Sequence, residues 1–100
     1  MEHFTEQVID IIQSIPKGKV TSYGQIAKMA GNPRGARQVV RILHSMSRKF
    51  NLPWHRVINS KGRISLPDGE DAEHQKMLLL KEGVKVNDQN TINLKEFGWI

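Results

Sequence analysis

The chain has 100 residues, no cysteine, 38% hydrophobic and 25% charged residues, and a formal net charge of +5. This length and composition predict one domain over residues 1–100 with a modest core, and they exclude disulfides, cysteine-ligated zinc and any thiol nucleophile. No apolar run approaches the roughly 18 residues of a membrane span, and residues 1–10 carry Glu2, Glu6 and Asp10 without the basic-then-apolar pattern of a signal peptide.

The first element in chain order is a helix. Phe4, Val8, Ile11, Ile12 and Ile15 recur at three- and four-residue steps until Pro16 and Gly18 interrupt them. Val20 reads as extended. Thr21 or Ser22 then caps a second helix through about Ala30, with Ile26, Ala27 and Ala30 inward and Gly31 as its stop. Asn32-Pro33 makes a turn. A third helix is expected from about Arg34 to Met46, with Val39, Val40, Leu43 and Met46 as its apolar stripe and Arg34, Gln38 and Arg41 on another face. Val57-Ile58 and residues 63–66 flank Asn59-Ser60-Lys61-Gly62, which reads as a small hairpin. A fourth helix fits about Glu70 to Glu82, with acids in its first turn and Gly83 behind it. From Val84 the chain is polar and irregular, and Leu94, Phe97 and Trp99 are expected to pin this tail to the body.

Charge is segregated along this order. Residues 11–67 contain no acid and carry 11 Lys and Arg, whereas the remainder holds four Lys and ten acids. Clustered cations gain by displacing counterions from phosphates, so the pattern predicts a nucleic-acid partner. No basic amphipathic helix stands apart from the core, so a membrane surface fits less well. Two short helices around Gly31-Asn32-Pro33 suggest a helix-turn-helix, with the third helix as reader and the hairpin as a wing.

One string is more specific than the rest. Pro53-Trp54-His55-Arg56-Val57-Ile58 resembles the active-site motif of the O6-alkylguanine-DNA alkyltransferases, in which Pro-Cys-His-Arg-Val carries the alkyl-accepting cysteine. The stretch Gly18 to Ala27, the turn Gly31-Asn32-Pro33 with Ala36-Arg37, and Lys81-Glu82-Gly83 resemble that family's other motifs in the same order. The resemblance spans about residues 4–86, leaves 87–100 as a tail, and lacks the family's N-terminal domain. It implies a mostly α winged helix-turn-helix fold with a small β-hairpin. Trp54 stands where the family has its nucleophile, and an indole offers an N–H donor and no attacking lone pair. The chain therefore looks like the alkyltransferase-like subfamily, which binds alkylated guanine without repairing it and is linked to nucleotide excision repair. No catalytic residue, metal or cofactor is expected.

The resemblance also implies roles. Arg37 would replace the everted base in the stack, and Tyr23 would crowd its phosphate and help rotate it. Trp54 and Val57 would wall the pocket. Thr21, Ser22, Asn32, Pro33, Gly35, Ala36, Gln38, Arg41 and Ser60 would meet the DNA, with Gly35 and Ala36 small enough for close approach in the minor groove. A cap or a solvated side chain is the alternative reading for Thr21, Ser22, Asn32 and Arg41. His55 and Glu82 match the family's proton relay and are read as structural. Two departures stand out: Met46 replaces an Asn, and Leu66-Pro67-Asp68-Gly69 differs from the family's Tyr-Ser-Gly-Gly lid. His3, His44 and His74 are read as surface residues. The expected partners are duplex DNA containing O6-alkylguanine and excision-repair proteins. The chain is expected to act as a monomer in the cytoplasm, or at the nucleoid in a bacterium. A winged-helix regulator that reads sequence is the alternative binding module, and a residual alkyltransferase or dealkylase is the enzymatic one.

Overall fold

The computed structural model describes residues 3–66 and 69–100. Helix α1, His3–Gln13, buries Val8, Ile9 and Ile12, and Ile15 follows them into the core. Strand β1, Thr21–Ser22, leads directly into α2, Tyr23–Met29, and Ser22 caps that helix by accepting from the Gln25 N–H at 3.1 Å. Helix α3 runs Ala36–Phe50, four residues beyond the expected Met46, and stops where Asn51 turns left-handed. Arg48 and Lys49 in its last turn complement the carbonyl end of the helix. A 3₁₀ turn, Trp54–Arg56, precedes β2, Val57–Ile58; α4, Glu70–Lys81, and α5, Leu94–Phe97, complete the order. No helix among the described residues is long and apolar enough to cross a membrane.

The hairpin expectation is corrected. Val57 and Ile58 pair in parallel with Thr21 and Ser22 instead of with residues 63–66. The turn itself forms: the Asn59 side chain accepts from the N–H groups of Lys61 and Arg63, each at 3.0 Å. The arm beyond it then pairs with the tail, through an antiparallel bridge from Arg63 to Thr91 and an Ile64 N–H donated to Asn90 at 2.9 Å. Both residues of β2 are buried, so the strand needs a partner inside the body. Successive side chains of a strand face opposite ways, and β2 separates two cores accordingly. Val57 packs with α1, α2 and α3, whereas Ile58 packs with Val20, Ile64, Leu79, Val84 and Ile92.

The tail is held by Val20, which donates to Phe97 at 2.9 Å and accepts from Trp99 at 2.7 Å. Phe97 and Trp99 are half-buried as expected, but Leu94 is 40% exposed. The stripe of α3 also differs from its prediction: Ile42 is buried and Val40 is 46% exposed.

Candidate nucleic-acid interface and base pocket

Helices α2 and α3 and the connection between them form the expected helix-turn-helix. Asn32, Pro33, Arg34, Arg37, Gln38 and Arg41 are all exposed on it, so the turn and the start of α3 present three guanidinium groups to solvent. The Asn32 side chain accepts from the Arg34 N–H at 3.3 Å and shapes the turn. Ala36 is half-buried, and Ser60 is exposed in the 59–62 turn.

Two members of the expected DNA face do not lie on it. Thr21 is 4% exposed, its backbone engaged in the parallel pair, so its side chain is unavailable to a phosphate. Gly35 is buried, and a Cβ there would stand 2.9 Å from the Phe4 ring and 3.1 Å from the Asn32 carbonyl oxygen. Its smallness therefore serves contact with α1 rather than approach to DNA.

A cavity of about 540 Å³ opens between α3 and α4. Trp54 forms one wall, with Tyr23, Val40, Leu43 and Leu66 adding apolar surface and His44, Ser47, Arg48, Asp71, His74 and Gln75 adding polar groups. The Trp54 indole is thus at an opening and not sealed in the core. The His74 ring meets it edge-on, with centroids 5.8 Å apart and planes at 70°. The Tyr23 hydroxyl lies 3.1 Å from the Ser65 hydroxyl. The other expected wall, Val57, is 1% exposed and belongs to the first core, because it points away from the cavity on β2. Met46 packs against that same core. Within the lid segment, Leu66 lines the cavity, and Pro67 and Asp68 lie outside the described residues.

The sequence reading missed His44, Ser47, Arg48, Asp71, His74 and Gln75 as pocket residues. Gln75 alone carried a signal. It falls between Ala72 and Leu79 on the buried stripe of α4, where an amide calls for partners.

Behind the pocket, Glu82 gathers three segments. Its Oε2 accepts from His55 Nε2 at 2.6 Å and Arg56 Nη2 at 2.8 Å, while its Oε1 accepts from Arg56 Nε and the Gly18 N–H, both at 3.0 Å. Arg56 Nη1 donates onward to the Ile15 carbonyl at 2.8 Å. Gly18 has a φ of +86° and would place a Cβ 3.3 Å from the Glu82 carbonyl oxygen, so glycine suits this approach. Burial alone would raise the Glu82 pKa; the Arg56 guanidinium, the Gly18 N–H and His55 outweigh it and lower the value from 4.5 to about 2. An ionised carboxylate only accepts, so His55 carries its proton on Nε2.

The model of the DNA binding domain of 6-O-methylguanine DNA methyltransferase matches residues 3–84. The chain belongs to this family. It is also 46% identical over 99 residues to the "DNA base-flipping protein" of Vibrio parahaemolyticus, covering 99% of this chain and 98% of that one. To "Alkyltransferase-like protein 1" of Schizosaccharomyces pombe it is 40% identical over 104 residues, covering 99% of this chain and 96% of that one. A crystal structure of S. pombe Atl1 in complex with damaged DNA containing O6-carboxymethylguanine superposes with a TM-score of 0.88 at 39% identity, covering 100% of this chain and 97% of that one. The fold is thus the family's small, mostly helical domain with a parallel pair of strands. With no cysteine anywhere in the chain, it has no thiol to accept an alkyl group as the family's nucleophile does.

Proposed function

We propose that this chain is a non-enzymatic sensor that binds O6-alkylguanine in duplex DNA, everts the nucleotide into the cavity beside Trp54 and holds it there. The observation that carries this reading is Trp54 itself, an indole in the position of the family's nucleophile, lining an opening between α3 and α4. The faces and pairing edge of an O6-alkylated guanine are covered within the duplex, so holding the base in a cavity requires eversion at roughly a few kcal/mol, less where the pairing is already weak. The exposed basic start of α3 supports entry of this element into the minor groove. In this reading Arg37 fills the vacated place in the stack, Tyr23 crowds the target phosphate, and Ser22, Asn32, Pro33, Ala36, Gln38, Arg41 and Ser60 follow the backbone and groove edge.

A sensor that removes nothing must hand its lesion on, and nucleotide excision repair fits because it replaces a stretch of strand rather than reversing the adduct. We place the chain in this role as a monomer in the cytoplasm, or at the nucleoid in a bacterium. The deciding experiment measures affinity for matched duplexes with and without O6-methylguanine, followed by mass spectrometry of protein and DNA. Tighter binding to the lesion with both masses unchanged is expected. Equal affinity with strong dependence on flanking sequence would favour a regulator, and transfer or loss of the methyl group would favour an enzyme.

A further inference from the structure

Tyr23 is attached to two different parts of the molecule. Its backbone opens α2 beside the Ser22 cap, and its side chain packs on the first core. It also lines the cavity, and its hydroxyl lies 3.1 Å from the hydroxyl of Ser65, 42 positions along the chain. Ser65 is held from the other side. Ile64 before it is buried in the second core and donates its N–H to Asn90 at 2.9 Å, Arg63 bridges to Thr91, and Leu66 after it lines the same cavity. A serine has a single rotatable bond before its oxygen, so a backbone anchored on both sides leaves that oxygen only the staggered positions. The hydroxyl pair thus ties the side chain that is to act on the DNA to the arm 63–66.

Each hydroxyl has one hydrogen to donate and can also accept, whereas a phosphate oxygen only accepts. When Tyr23 turns its hydrogen to a phosphate, Ser65 is left as the donor of the pair. The two bonds then run in one direction, from Ser65 to Tyr23 to the phosphate, and each polarises the next. Resting on the sensor reading above, we propose that Ser65 is a positioning residue for eversion: its hydroxyl donates to the Tyr23 oxygen, fixes that ring against the target phosphate and leaves the tyrosine hydrogen free for it. The pair is open to solvent in the free protein. Duplex DNA laid over it excludes water and strengthens both bonds. A ring held in this way needs no further ordering as the nucleotide turns out.

The test is a double-mutant cycle on Ser65→Ala, Tyr23→Phe and the two together, with Ser65→Thr as the variant that keeps the hydroxyl. The readout is the ratio of everted to stacked base, from 2-aminopurine fluorescence at the target position, beside affinity for matched O6-methylguanine and guanine duplexes. Ser65→Ala should lower the ratio about fivefold, the size of one net hydrogen bond. Tyr23→Phe should lower it further, because the phosphate contact goes too. The double variant should match Tyr23→Phe, since Ser65 then has nothing to hold. Ser65→Thr should stay near wild type, and affinity of Ser65→Ala for the guanine duplex should fall less than its eversion does. Losses that multiply in the double variant would show that Ser65 acts apart from Tyr23. Equal falls in eversion and in binding of the guanine duplex would mark a general loss of structure, and an unaffected Ser65→Ala or Tyr23→Phe would show that the hydroxyl link is not used. Each of these overturns the role of Ser65 and leaves the sensor intact. Wild-type protein that binds O6-methylguanine no more tightly than guanine would remove the sensor reading itself.

Discussion

Replacing Glu82 by Gln should alter stability in a way that depends on pH. The carboxylate is 9% exposed and receives donors from His55, Arg56 and Gly18. Its pKa falls from 4.5 to about 2 on folding, and a difference of that size corresponds to about 3 kcal/mol of linked stability. The folded-state value is the depressed one, so this contribution is complete above about pH 4.5 and is lost as pH falls toward 2. Against a typical domain stability of about 5–15 kcal/mol, that is a large share. Glu82→Gln should be less stable than wild type by about 3 kcal/mol at neutral pH, because the Arg56 guanidinium loses its counter-charge while remaining largely buried. The deficit should shrink through the acid range and be nearly gone at about pH 2. Urea unfolding of both proteins, followed by circular dichroism at steps from neutral to acid pH, measures the difference directly and cancels the other carboxylates. A deficit that stays constant across that range would show that ionisation of Glu82 is not coupled to folding.

Arg37→Ala should weaken binding to an O6-methylguanine duplex more than removal of an ordinary exposed charge on α2, Lys28→Ala, because it removes the group that fills the stack as well as one charge; equal losses with matching salt slopes would count against that role. Tyr23→Ala should reduce the fluorescence rise of 2-aminopurine at the target position while leaving the affinity for undamaged DNA close to wild type, and an unchanged signal would reject the assignment. Gly35→Ala should cost about 1–2 kcal/mol in urea unfolding, since its methyl group would meet Phe4 and the Asn32 carbonyl; stability equal to wild type would mean that this junction is looser than its distances imply.

What the sequence made legible follows from the range of the forces involved. Helices α1, α2 and α4 were readable because apolar spacing and caps act within a few residues, and Ser22 makes the bond to Gln25 that a cap demands. The end of α3 was missed because Ser47, Arg48 and Lys49 are polar, the first two lining the cavity, so the apolar spacing lapses for a turn before Phe50 returns to the first core. The β structure was misread for a different reason. Val57-Ile58 has a nearby turn and a nearby extended segment, yet it pairs with Thr21-Ser22, and the nearby segment pairs with the tail. Such pairings are decided by which core each side chain enters, and local composition holds no record of that.

At the site, motif resemblance named residues that the fold brings together, including Trp54 with Tyr23 at the cavity and His55 with Glu82 behind it. It gave no direction for a side chain, which is why Val57, Thr21 and Gly35 were assigned to surfaces they do not reach. The persistence of His55 and Glu82 in a chain without a thiol also has a physical account in the contacts. A carboxylate held at about pKa 2 is a weak proton acceptor, poorly suited to end a relay at neutral pH. As a tie it is well placed: one carboxylate joins the end of α4 to the turn that carries Trp54 and to the Ile15–Gly18 connection, directly at Gly18 and through Arg56 at Ile15. Loss of a nucleophile removes any need to move a proton, but it does not relieve the fold of holding Trp54 at the cavity wall, and that requirement alone is enough to retain both residues.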